Sequence, residues 1–541
     1  MQCGSRRRAE NAELRVPTRI SRPGFRAGAG SALLIAAVPA AFALLAGIDR
    51  VLYAVFDCDL YYIFHAVRFN QGLPQAVFDH TGYLYMLVLS WWTSAFHHLG
   101  LVTYATLDAI RGAPSGATAL SELIIAGRLL SIVLTAGYAI VFAAAARRIT
   151  GDRLVGLMLG ILIAASPGIG LHAITLRPEL LSGFGVMAGF LAIALSRQAT
   201  GIRPYVLVGL AATAVYLGHM SKTQAIIPAL LLPLFGIAAA PRTEDGLSSR
   251  LRVSGSPART WLFPLFAAFV FLPVLTGHIY GTQYVLDRPE IPPYLWIVAG
   301  WVVLAIVLYN YIYRKSGLSA VYALSAICVG LALAYAVNAF HFSLGNIGWS
   351  TAFIENMKRF TPLASSDPTL IDIVRTALDG VTHTISDLFT QNILWGIGRA
   401  LVFGAAIALA IVQYRRGQRL NALVIAGLCI GSVLVAVAFS LRGFRIEYGV
   451  YFYFMPVLAI ALGYADLDRP GKSRARTPLL ILLAVIATMH LVGSYQSFIA
   501  EPYRTAFPNL AHFCAWQLEN APFFADAVYS GERCWAVYQK P

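Results

Sequence analysis

Long apolar stretches dominate the chain, and short polar segments punctuate them. Runs of roughly 17–25 apolar residues match a helix that crosses a bilayer, and about thirteen such runs can be marked. They centre near residues 40, 135, 163, 188, 212, 232, 270, 303, 329, 402, 430, 457 and 486. Hydrocarbon offers no partner for backbone groups, so each run is expected to be an α-helix. Two more apolar stretches lie between the first and second runs. Leu60 to Phe69 puts Leu60, Phe64 and Val67 on one helical face, with His65 and Arg68 elsewhere. Tyr83 to Leu99 carries Trp91, Trp92 and Phe96 and ends near His97-His98. Both read as interfacial helices, because Trp and Tyr favour the headgroup level.

Composition agrees with the pattern. Of the 541 residues, 58% are hydrophobic and 12% are charged, against about 25% charged in soluble domains. The expectation is an all-α polytopic membrane protein. A net charge of +15 by itself would suit a polyanionic partner, but its distribution points elsewhere. With the N-terminus in the cytoplasm, the basic clusters at Arg6–Arg8, Arg147-Arg148, Arg197/Arg203, Arg242–Arg259, Arg314-Lys315, Arg415–Arg419 and Arg469–Arg476 all fall inside. That is the positive-inside pattern, and it leaves no role for nucleic acid. Counting Tyr83–Leu99 as a span would invert it. The predicted location is the inner or plasma membrane, with the first loop and the C-terminal tail external.

The expected organisation has four parts. Residues 1–30 form a basic cytoplasmic segment. Residues 31–240 form a first transmembrane module with an external loop over 49–122. Residues 241–494 form a second, variable module with an external loop over 340–390. Residues 495–541 form an external tail. Ser31 to Gly47 resembles a signal peptide but is read as an uncleaved first span. Cys328 and Cys429 fall within runs and read as small buried hydrophobes, whereas Cys514 and Cys534 lie in the tail, where a disulfide is permitted. No cysteine–histidine spacing suggests zinc. Gly156 and Gly160 read as a close helix contact.

Polar groups able to do chemistry concentrate on the external side. Asp57 and Asp59 lie two positions apart in Asp57-Cys58-Asp59-Leu60-Tyr61-Tyr62. A carboxylate there can act as general base, and its neighbour can orient the acceptor or join it in holding a divalent cation, Mg or Mn. Glu179 follows Arg177-Pro178; Pro178 suits a first helical turn, so Arg177 and Glu179 can cap a helix, and Arg177 can equally hold Glu179 in a site or touch a substrate phosphate, the two readings standing together. Lys222, beside His219 in the segment Gly218–Gln224, can face a phosphate or snorkel to the headgroups. Arg442 and Arg445 are weaker candidates for the same task. His80, His341, Tyr61 and Tyr83 can shape a sugar pocket. No glycine-rich nucleotide loop occurs in a plausible context.

Asp57-Cys58-Asp59-Leu60-Tyr61-Tyr62, then Asp79-His80-Thr81-Gly82-Tyr83, then Arg177-Pro178-Glu179 resemble, in that order, the GT-C glycosyltransferases of the protein O-mannosyltransferase and aminoarabinose-transferase type. The resemblance covers roughly residues 30–240. It implies a GT-C-like bundle with interfacial helices in its first external loop, the first module being catalytic. It implies an inverting transferase that moves a sugar from a polyprenyl-phosphate donor to an envelope lipid, glycan or protein. It also places Glu179 in the same cavity as the first-loop acids. The family's Asp-Glu pair is Asp57-x-Asp59 here and its His-Pro-Pro phrase is His80-Thr81-Gly82. The base therefore stays open between Asp57 and Asp59, with Asp57 favoured by its spacing to Tyr61. The rivals are a transporter or flippase of lipid-linked sugars, which calls for charges within spans and broken helices, and an O-antigen-type polymerase or ligase using the loop near Lys358-Arg359 and Arg375.

Overall fold

The computed structural model describes residues 25–48, 59–75, 82–114, 116–199, 202–232, 235, 261–272, 317–339, 392–440 and 446–500, with isolated positions between 375 and 386. Regular structure among them is helical. The principal helices are α1 (Phe25–Ala46), α2 (Asp59–Asn70), α3 (Tyr83–His98), α4 (Gly116–Thr150), α5 (Arg153–Ala165), α6 (Pro178–Ser196) and α7 (Arg203–Ser221). They continue as α8 (Gly317–Ala339), α9 (Ile393–Arg415), α10 (Arg419–Ser440), α11 (Phe454–Ala465) and α12 (Arg469–Tyr495).

Eight of the described helical segments are long and apolar enough to cross a membrane, or nine with one bent pair. They account for the predicted runs near 40, 135, 163, 188, 212, 402, 430, 457 and 486. The run near 163 is not straight: α5 stops at Ala165, and Pro167–Ala173 continues at 62° to it. A proline at the first position after Ser166 starts the new direction. The runs near 270 and 329 are represented by the shorter apolar helices Trp261–Leu272 and Val321–Val337. Near 232 the described helix is only Ile226–Ala229. The run near 303, most of the 340–390 loop, and Cys514 and Cys534 lie outside the described residues.

The expected close contact at Gly156 and Gly160 is present. A Cβ on Gly156 would meet the Arg147 backbone at 2.8 Å, and one on Gly160 would meet Ala143 at 2.5 Å and Ile35 at 2.9 Å. Small residues let α4, α5 and α1 approach backbone to backbone. The first apolar run is thus built into the bundle. α6 pairs with α7, α7 with α8, and α9 with α10 and α12. Cys429 is buried as expected, and Cys328 is half-buried.

The two first-loop stretches form α2 and α3, which pack on each other and on α4. Tyr62, Ile63, Phe64, Tyr85 and Leu89 make their shared core. His65 is buried as well, its Nδ1 against the Tyr61 carbonyl at 2.9 Å. The ring of Tyr83, a residue expected to shape a sugar pocket, is buried and packs on Phe69, with centroids 5.7 Å apart.

Polar groups gather at the two ends of the bundle, separated along α4 by the 22 residues from Arg128 to Thr150, about 33 Å of helix. At the far end Asp152 caps α5 by accepting from the Leu154 and Val155 amides and receives Arg476 Nε at 2.7 Å. Arg197 pairs with Asp466, and Arg416 with Asp468. The basic clusters at 147–148, 197, 415–419 and 469–476 therefore share one end, the grouping that the charge pattern predicts.

Candidate functional site

At the opposite end, three carboxylates converge from separate parts of the chain. Each occupies the first turn of a helix: Asp59 in α2, Glu179 in α6 after Pro178 at the first helical position, and Glu447 in the 3-10 turn Ile446–Tyr451. The free amides of a first turn favour an acid locally, before any tertiary contact. All three acids are buried, and each meets one buried cation.

Asp59 faces Arg128 Nη2 at 3.4 Å, and its Oδ1 accepts from the Leu176 amide at 2.9 Å. Arg128 also donates to the Ile48 carbonyl at 2.8 Å, so it fastens the end of α1 to α2. Burial pushes the Asp59 carboxyl above its usual range, against the opposing pull of Arg128 and the Leu176 amide. Burial likewise pushes the Tyr85 hydroxyl up, with Asp59 and Glu179 adding to it, while Ser131 and the Arg177 backbone oppose.

Glu179 pairs with Lys222 Nζ at 3.4 Å, and Arg177 Nη1 reaches Glu447 at 3.1 Å. This corrects the expected Arg177–Glu179 cap. Arg177 is the N-cap residue of α6, yet its side chain makes no cap hydrogen bond and crosses to Glu447 instead. For Lys222 the structure bears on one of the two readings, the snorkelling one. Lys222 is the C-cap of α7, buried, where a cation suits the helix end. It does not snorkel. Its carbonyl accepts from Ser182 Oγ at 3.3 Å, binding α6 to the same junction.

The turn carrying Glu447 is held by a backbone contact. A Cβ on Gly168 would meet Gly449 Cα at 2.7 Å and the Ile446 carbonyl at 2.9 Å. His172, just beyond the 62° bend, donates from Nε2 to the Glu447 carbonyl at 3.0 Å. Tyr138 donates to the Val450 carbonyl at 2.9 Å. The bent segment therefore exists at this site as the platform for the 3-10 turn.

The structure thus brings Asp59, Arg177, Glu179 and Lys222 together. Tyr61 is half-buried, edge-on to Tyr62 with its ring over His65. His219 is half-buried in the last turn of α7. Asp57, His80, His341, Arg442 and Arg445 lie outside the described residues. Both Asp59 oxygens already accept hydrogen bonds, and no group of three metal-ligating side chains occurs among the described residues. A cation shared by Asp57 and Asp59 would have to compete with Arg128 for Asp59.

Sequence reasoning missed Arg128, His172 and the role of Glu447. Arg128 had a signal: a single arginine within an otherwise apolar run is costly unless it is partnered or functional. Glu447 had only its position in a first turn, and His172 had none, since the bend that aims it depends on tertiary packing. No protein-family model, curated protein or solved structure matches this chain.

Proposed function

We propose that the protein is an inverting glycosyltransferase that moves a sugar from a polyprenyl-phosphate donor to an envelope lipid, glycan or protein on the external face of the membrane. The observation that carries this reading is the 2.9 Å hydrogen bond from the Leu176 amide to Asp59, across 117 positions of sequence. It draws the acidic first-loop motif onto the segment Arg177-Pro178-Glu179, and these are two of the phrases on which the GT-C resemblance rests.

In this reading Asp59 is a positioning residue, because both its oxygens are engaged. Asp57, two residues upstream, takes the proton of the acceptor hydroxyl as that oxygen attacks the anomeric carbon. The bond from anomeric carbon to phosphate oxygen breaks, and the polyprenyl phosphate leaves with its electron pair. Attack opposite the leaving group inverts the anomeric centre. Lys222 and Arg177, tethered by Glu179 and Glu447, face the charge that grows on the departing phosphate.

The test compares envelope glycans and lipid-linked sugars by mass spectrometry in a deletion strain complemented with wild type, Asp57→Asn or Glu179→Gln. The expected result is loss of one sugar on deletion that wild type restores and Asp57→Asn does not, although the variant inserts normally. Unchanged glycans on deletion would overturn the reading.

A second reading has specific support. Arg128, Glu179 and Arg399 belong to spanning helices, and one candidate span is bent by 62° at a break. Those are features of transporters and flippases. Proteoliposomes loaded with a labelled lipid-linked sugar separate the two readings: movement between leaflets without transfer to an acceptor favours the flippase. The polymerase or ligase alternative rests on the 340–390 loop, most of which lies outside the described residues.

A further inference from the structure

Seven Asp, Glu, Lys and Arg side chains are buried among the described residues: Asp59, Glu179 and Glu447 against Arg128, Arg177, Lys222 and Arg399. Three ion pairs use six of them. Arg399 is the surplus cation. It stands within α9 on the face formed by Trp395, Val402, Ala406 and Ala410, seven residues from the N-cap Asn392 and so about 10 Å into the helix. Among the described residues no salt bridge or hydrogen bond reaches it, and its Nε is buried without a partner.

The surroundings of Arg399 are polar and assembled. It interacts electrostatically with Tyr453, the N-cap of α11, and with His490 of α12. Tyr453 Oη and His490 Nδ1 are 3.3 Å apart. Gly398 lets the His490 ring rest on α9, since a Cβ there would meet Nε2 at 2.6 Å. One turn toward the helix end, Trp395 donates to the His490 carbonyl at 3.4 Å and packs on Phe498. Asn392 ties the start of α9 to Gly493 and Ser497 of the chain after His490.

A guanidinium keeps its charge, and burying it without an anion is strongly unfavourable. Its planar fork matches the oxygens of a phosphate. Between helices that cross a bilayer, lipid phosphates are the anions nearest at hand. We propose that Arg399, together with Tyr453, binds the phosphate of a membrane lipid at a site separate from the Asp59–Glu179–Glu447 cluster. The lipid is either a polyprenyl phosphate or a phospholipid, and the site does not depend on the transferase reading.

The test uses the full chain in phosphatidylcholine nanodiscs, titrated with polyprenyl monophosphate, with phosphatidylglycerol, and with the phosphate-free polyprenol and diacylglycerol. Native mass spectrometry reads bound lipid per chain. The expected result is that wild type binds a phosphate-bearing lipid in preference to its phosphate-free counterpart. Arg399→Gln should weaken that binding about tenfold or more, and Arg399→Lys less. Stronger binding by the polyprenyl phosphate identifies a carrier site, and stronger binding by phosphatidylglycerol identifies a headgroup site. Equal binding of phosphate and phosphate-free lipids to wild type overturns the proposal, and this arm needs no variant. Unchanged binding in an Arg399→Gln protein with native helical content overturns it as well.

Discussion

Lys222 at the C-terminus of α7 and Glu179 in the first turn of α6 form a buried ion pair, 3.4 Å between Nζ and Oε1. Each end suits its helix terminus, so the pair fixes two helix ends and two charges in one contact. Removing either partner leaves the other charge buried alone. Lys222→Met is expected to lower stability by about 3–5 kcal/mol, and the double variant Lys222→Met/Glu179→Gln to recover much of that loss. Thermal unfolding in detergent of the four proteins measures the coupling. If the double variant regains stability and not sugar transfer, the pair has a chemical role beyond holding the helices.

The Asp59–Arg128 contact has a pH signature. Burial raises the folded-state pKa of Asp59. A raised carboxyl favours the folded state while protonated, and that contribution is lost as pH rises through the folded value. Across mildly acidic pH, the melting temperature of wild type should therefore decline with rising pH relative to Asp59→Asn. Parallel pH profiles for the two proteins would exclude Asp59 as the titrating group.

Asp152, at the other end, behaves in the opposite sense. Burial pushes its carboxyl up, but the Arg476 hydrogen bond and the amides of Val155 and Leu154 outweigh it and hold the carboxyl below the usual range. Its contribution is present above the unfolded value and is lost as pH falls through the folded one. Asp152→Ala removes the α5 cap and should cost about 1–2 kcal/mol, while Asp152→Asn, which can still cap, should cost less. Denaturant or thermal unfolding with and without salt separates the cap from the partly exposed ion pair.

Gly168→Ala tests whether the bent segment positions the site. The added methyl would press on Gly449 Cα at 2.7 Å and displace the turn that bears Glu447, the partner of Arg177. A shift near 1 Å at such a platform can lower a reaction rate about 100-fold. The expected outcome is normal insertion with greatly reduced sugar transfer. Full transfer by Gly168→Ala would show that the Arg177–Glu447 geometry is not needed.

That the chain is a bundle of apolar helices was legible in the residue pattern, because hydrocarbon leaves backbone groups no other partners. Nine of the predicted runs correspond to described spans or the bent pair, and the basic clusters that fall in described residues gather at one end. The small residues Gly156 and Gly160 announced the α4–α5 contact, because an absent side chain is visible in sequence. Pro178 likewise announced the start of α6.

Which charge meets which depends on the packing of the helices in space. Arg177 and Glu179 are neighbours in sequence, yet Arg177 reaches Glu447 and Glu179 reaches Lys222. Local pattern specifies that a helix start favours an acid, but the partner is chosen by which helix ends the packing brings together. The same holds for His65, which the sequence sets away from the apolar face of its helix and which the packing of α2 buries completely. Arg399 was present in the sequence as a lone charge in an apolar run. That it is the buried cation without an anion among the described residues emerged only once the other three had been paired in space.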